Sequence, residues 1–295
     1  HPLTAALEAE FPQVAFDTLA YQWTRPAPTS GLKPRHNVVI RLCTIECDFA
    51  QPLTHPNNAP FQKDMAAWAK ISNRTYIWNY ITNFAHYFTP FPNWHVLLPN
   101  IRYFSEHGVK GIFEEGTYGT AGGDLVELKD YMIAKALWDP TVDEAELITT
   151  FLDAYFDKAA PFVRAYMDTM VSGISAHGFY MHESFDVHAP FLTAPGLLLA
   201  ATALSNATAA VASADEKYVH RAEQAALPVM YVALFRWAEL RAYAAHSAVA
   251  WPYAASLHAQ FDEFRRRYVQ AGITRLDEGG HTIEWMEAAI LPPVV

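Results

Sequence analysis

Four carboxylates and a group of aromatic side chains hold most of the chemistry in this sequence. Glu46 and Asp48 close one β-rich run, and Glu114 with Glu115 closes another. Two carboxyl groups flanking a sugar are what glycoside hydrolysis requires, one as acid and the other as base or nucleophile. Between those runs lie Trp78, Asn79, Tyr80, Asn83 and Tyr87, with His86 beside them. Aromatic faces stack on sugar rings, and amides bond their hydroxyls. The competing reading for the acids is ion pairing, for instance to Arg41 or Arg102; for the aromatics it is packing between strand and helix, above all at Tyr76 and Phe84.

The elements that must position these groups alternate. Candidate strands run from Val14 to Tyr21, Asn37 to Cys47, Thr75 to Ile81 and Val109 to Glu114. Each is followed by Pro, Gly or Asn punctuation and a helical stretch, such as Pro60 to Ile71, Trp94 to His107 and Leu125 to Leu137. Four strand-helix units predict a parallel sheet. In a (β/α)8 barrel, functional residues sit at the carboxyl ends of the strands, which is where Glu46, Asp48, Trp78, Asn79, Tyr80, Glu114 and Glu115 fall. Side chains alternate along a strand, so Glu46 is in phase with Asp48, and Glu114 and Glu115 cannot both point inward. The run Val109 to Phe113 shows no clean polar and apolar split, so that phase stays open, with Glu115 taken as the inward group. A whole barrel needs about 250 residues; four units are half of one.

Beyond Trp138 the spacing is helical. Thr141 and Glu144 stand in capping-box spacing before a helix from Val142 to Lys158. Further helices are expected from Pro161 to Gly173, Pro195 to Ala212, Lys217 to His246 and Pro252 to Gln270, with Pro228 kinking or splitting the third of these. The organisation expected is a partial barrel over residues 1–140 and a helical region over 141–295.

Composition narrows the partners. The net charge is −10 with 21 Lys and Arg, which argues against nucleic acid or an anionic membrane. The apolar stretch Ala189 to Ala212 is interrupted by Pro190, Pro195, Thr202 and Asn206, so no membrane span is expected. The loop Gly116 to Gly123 lacks the Lys-Ser or Lys-Thr of a phosphate loop and the dinucleotide fingerprint, so no cofactor is expected. His177, His182 and His188 around Glu183 and Asp186 match no metal-binding spacing, and no metal is expected. Cys43 and Cys47, on one extended strand, would stand about 13 Å apart, too far to bond each other, which leaves buried thiols or partners of other cysteines. Asn73 and Asn206 open sequons for N-glycosylation. The chain lacks an initiator Met and reads as a mature piece or a fragment.

The blocks Tyr76 to Phe84, Pro90 to Asn93, Asn100 to Phe104 and Gly108 to Gly116, continuing through Gly122 to Asp124, Glu127 to Lys129 and Leu137 to Pro140 and reaching back to Asn37 to Cys43, are similar to domain-of-unknown-function family 4838. The likeness covers roughly Leu19 to Tyr166. It implies a glycoside-hydrolase-like (β/α)8 TIM-type barrel, related in architecture to α-glucuronidases and β-hexosaminidases, in secreted or extracellular proteins. It also implies that this chain holds the last four units, with an upstream half-barrel in the same or another chain. Many members place Asp after the strand Trp, where this chain has Asn79. The expected function is that of a carbohydrate-active protein acting on or binding a polysaccharide or glycan, possible catalysis resting on Glu115 or Glu114 with Glu46 or Asp48. The alternative, favoured by Asn79, is a non-catalytic carbohydrate-binding or structural module of an extracellular assembly. A third reading, a helical interaction protein, rests on the Ala-rich second half.

Overall fold

The computed structural model describes residues 2–291. The chain divides into two compact units that interleave in sequence. The first takes residues up to Ile81, Asn93–Gly116 and Ile133–Val142; the second takes Thr82–Pro92, Thr117–Met132 and everything from Asp143. Val142 is therefore where the chain leaves the first unit for the last time, but two earlier segments already belong to the second.

In the first unit a helix α1 (Pro2–Glu10), which the sequence reading did not anticipate, precedes four strands: β1 (Phe16–Ala20), β2 (Val38–Cys43), β3 (Thr75–Tyr80) and β4 (Gly111–Glu115). They form one parallel sheet in the order β1-β2-β3-β4. Helices α2 (Ala59–Ala69) and α3 (Trp94–Glu106) make the crossovers β2 to β3 and β3 to β4. With sequential strand order and right-handed crossovers, both helices fall on the same face of the sheet. That asymmetry is written in the burial. On one face Ile40, Leu42 and Ile77 are each at most 3% exposed, whereas on the other Leu19 is 46% and Phe113 42% exposed.

Strand β2 is shorter than expected. It stops at Cys43, and the Cys47 amide donates to the Thr44 carbonyl at 2.8 Å, closing a turn. The two cysteines therefore do not share a strand, and the strand phase assigned to Glu46 and Asp48 does not apply. Both thiols are free and buried.

Helix α4 (Val126–Trp138) runs from the second unit into the first. The second unit then holds α5 (Glu144–Phe156), α6 (Ala160–His177), α7 (Ala194–Ala210), α8 (Glu216–Ala225), α9 (Leu227–Phe235), α10 (Trp237–His246), α11 (Leu257–Gln270) and α12 (Ile283–Ile290). The expected capping box is replaced by a cap two residues later. The Asp143 side chain accepts from the Glu146 amide at 2.8 Å, while Thr141 bonds to Asp139. An acid in that place also faces the positive end of the helix. Pro228 splits the expected long helix as predicted, lying in the first turn of α9. A second break at Arg236 coincides with its guanidinium reaching the Val187 and Leu192 carbonyls. Every residue from Leu227 to Leu234 is buried, the signature of a helix surrounded on all sides, here by α7, α8, α10 and α11. Helix α6 runs on past Gly173 to His177, and Gly173 lets it approach the chain closely: a Cβ there would lie 2.9 Å from the Phe191 carbonyl oxygen. The segment Pro252 to Ser256, expected as helix, is not helical. No helix among the described residues is long and apolar enough to cross a membrane.

Candidate functional site

Parallel register decides which strand-end residues share a face. Trp78 pairs with Phe113, Asn79 with Glu114, and Tyr80 with Glu115. Because side chains alternate, Trp78, Tyr80, Phe113 and Glu115 lie on the less covered face, and Asn79 and Glu114 lie on the buried one. The two neighbouring glutamates are thereby sent to opposite sides of the sheet.

On the less covered face the Trp78 indole donates to the Glu115 carboxylate at 2.7 Å. Phe113 stands edge-on to Trp78, with ring centroids 4.6 Å apart. Arg41, paired with Asp17 on β1, lies 5.8 Å from the ring centres of both Tyr76 and Trp78. Gly111 makes room for Tyr76, since a Cβ there would fall 2.7 Å from that ring. Cys43 belongs to the same face. Burial first, then the nearby Glu46 charge, pushes its thiol up to about 11, with Glu115 adding to the effect and a hydrogen bond with Tyr80 opposing it. Tyr80 is 8% exposed and packs edge-on to Phe49, forming wall and not rim.

On the opposite face Thr44 donates to the Asn79 side-chain oxygen at 2.6 Å, and the Asn79 amide donates to Glu114 at 2.8 Å. Burial pushes the Glu114 carboxyl up to about 7 against the pull of Asn79. Asn79 is 4% exposed. Its expected sugar contact is corrected: strand alternation turns it away from Trp78, into a short polar chain.

The remaining candidates are held by local bonding. Glu46 pairs with Arg25, which also bonds Asp64 at 2.8 Å. The ion pair is real, but the partner is neither Arg41 nor Arg102; Arg102 instead donates to the Pro140 and Val142 carbonyls. Asp48 is 1% exposed and accepts from the Ala50 amide at 3.0 Å and the Asn57 side chain at 2.7 Å. Its backbone is clasped on both sides by Asn58. Asp48 folds its own loop, so its expected catalytic role is corrected: both carboxylate oxygens are engaged and there is no surface for a substrate.

Asn83 and Tyr87 belong to the second unit. Asn83 is buried, donating to the Phe185 carbonyl at 2.9 Å and accepting from the Ala85 amide at 3.1 Å. Tyr87 is 1% exposed beside Phe84. Both were expected at a sugar; burial gives them to the core of that unit. Asn73 and Asn206 are exposed, as a glycan would need. Of the histidines, His188 bonds Asp186 at 2.7 Å and His182 stands 4.0 Å from Glu183; among the described residues no three His, Cys, Asp or Glu are grouped to hold a metal ion.

Sequence reasoning missed Cys43, Phe113, Thr44 and Arg25. The first three could have been found by writing out the register of adjacent strands; Arg25, 21 residues before Glu46, carries no local signal.

Residues 2–168 match the profile of a family described as a domain of unknown function, DUF4838. No curated protein matches the chain.

Proposed function

This chain belongs to the DUF4838 family, and from that premise we propose that it binds a glycan on the less covered face of its sheet, as one wall of a glycoside-hydrolase-like barrel. The observation that carries the reading is Trp78 held to Glu115 at 2.7 Å, with Phe113 42% exposed beside it. An indole fixed by a carboxylate offers both a stacking surface and an acceptor for sugar hydroxyls. The sheet supports the barrel reading in another way. Its strands run in sequential order with crossovers on one face, and β1 and β4 are its edges, so further strands supplied from elsewhere in the same protein or from another chain would close it. Exposed Asn73 and Asn206 and the family likeness support a secreted or extracellular setting.

The test is affinity electrophoresis of the intact protein through gels containing soluble β-glucan, xylan or glycol chitin. At least one should retard it, and Trp78→Ala should cut that affinity tenfold or more. Equal mobility of the variant and the parent in every gel would refute the reading.

A second reading, hydrolysis, rests on the Glu115 carboxyl at the end of β4, bonded to Trp78 on the less covered face. Carboxyl groups about 5 to 5.5 Å apart would favour retention and about 6.5 to 9.5 Å inversion. Release of nitrophenol from aryl glycosides by the intact protein, lost in Glu115→Gln, distinguishes hydrolysis from binding alone.

A further inference from the structure

Within the helical unit, between α7, α9, α11 and the turn at Pro252–Ala254, lies a cavity of about 430 Å³. It falls within the range of small-molecule sites. The void has a simple origin in sequence: Ala201, Ala209, Ala212, Ala226 and Ala254 line it where larger side chains would fill it. Met230 and Tyr253 add apolar wall.

One end is polar, and its bonding is incomplete. Gln260 is 5% exposed and lines the cavity. Its side-chain oxygen accepts from the Ala254 amide at 2.8 Å, which fixes the orientation of the amide. The Nε2 donor makes no hydrogen bond among the described residues. Because the residue lines the cavity, that donor is available to a molecule bound there. Arg267, also in the wall, donates Nε to Glu263 at 2.7 Å and Nη1 to the Glu223 carbonyl at 3.4 Å, leaving Nη2 without a partner among the described residues. Its charge is already answered. Arg266 and Arg267 face Glu223 and Glu263, two cations against two anions.

We propose that this cavity is a binding site for an uncharged, largely apolar small molecule carrying a hydrogen-bond acceptor, such as a carbonyl, which meets Gln260 Nε2 and Arg267 Nη2. An anionic ligand would add charge to a cluster already balanced, and Glu263, the acid in the wall, already accepts on both carboxylate oxygens from Arg266 and Arg267. The site is independent of the sugar-binding reading and stands or falls separately.

Nile red, an uncharged fluorophore with a ring carbonyl, serves as the probe in a fluorescence titration of the intact protein. One saturable site with blue-shifted emission is expected. Gln260→Glu keeps the acceptor for Ala254 and removes the donor, and should weaken binding about tenfold, the equivalent of one lost hydrogen bond. Ala209→Phe and Ala212→Phe, each at an exposed lining position, should abolish binding with the helical circular dichroism unchanged. Absence of saturable binding, or binding that survives either phenylalanine in a folded variant, overturns the proposal. Equal affinity in Gln260→Glu overturns the assignment of the donor.

Discussion

Glu114 makes the protein's stability depend on pH in a direction opposite to that of a salt-bridged acid. Its carboxyl rises from 4.5 to about 7 in the fold, because burial penalises the charged form more than the Asn79 amide favours it. Below pH 4.5 the group is protonated in folded and unfolded chains alike, and it contributes no pH dependence. Between 4.5 and 7 the folded chain binds more protons than the unfolded one, so stability falls as pH rises, then levels off above 7. At 1.36 kcal/mol per pH unit, the whole rise corresponds to about 3 kcal/mol. Since Glu114 is half-buried as a residue, about 2 kcal/mol is the expected effect once solvent screening is allowed for. Glu114→Gln keeps an acceptor for Asn79 and cannot ionise. It should therefore match the parent at pH 4.5 and melt roughly 4–8 °C higher at pH 8, at 2–4 °C per kcal/mol. Thermal melts of both proteins from pH 4.5 to 8 check this, with Glu46→Gln as a control on an ion-paired acid. Equal melting temperatures at pH 8 would show that the carboxylate is solvated and the burial argument is wrong.

Other outcomes follow from the packing. Lys129 and Asp124 are both buried and hold the two ends of the Phe91 backbone, Nζ donating to its carbonyl at 2.8 Å and the carboxylate accepting from its amide at 2.7 Å. Lys129→Met should cost about 3 kcal/mol or more in urea unfolding by leaving Asp124 without its cation, and adding Asp124→Asn should recover part of that. Gly173→Ala, which would stabilise an ordinary helix by up to about 1 kcal/mol, should instead destabilise by about 1–3 kcal/mol through the clash with the Phe191 carbonyl, read from the same melts. Cys43, pushed up to about 11, and Cys47, pushed higher still by burial, should not react with a disulfide reagent at pH 8 until the chain unfolds; labelling at the rate of free cysteine would contradict their burial.

Much of the architecture is local and could be read directly from the residues. The alternation of β-rich runs with helical stretches placed four strands within a few residues of their ends, because hydrophobic period and Gly, Pro and Asn punctuation act over a handful of positions. Pro228 announced a helix break because its ring cannot continue the hydrogen-bond ladder. The family likeness, too, lies in ordered blocks of sequence. What those residues face was a different matter. Glu114 and Glu115 are chemically equivalent neighbours, and only the register against β3 sends one to Trp78 and the other to Asn79. Glu46 met a cation that no local pattern pointed to, Asp48 was consumed by its own loop, and Asn83 and Tyr87 went to the second unit, because a side chain's partner depends on segments far away in the chain. Local sequence determined which elements form and where acids and aromatics fall along them. Long-range pairing and burial decided which of those groups remain available for chemistry.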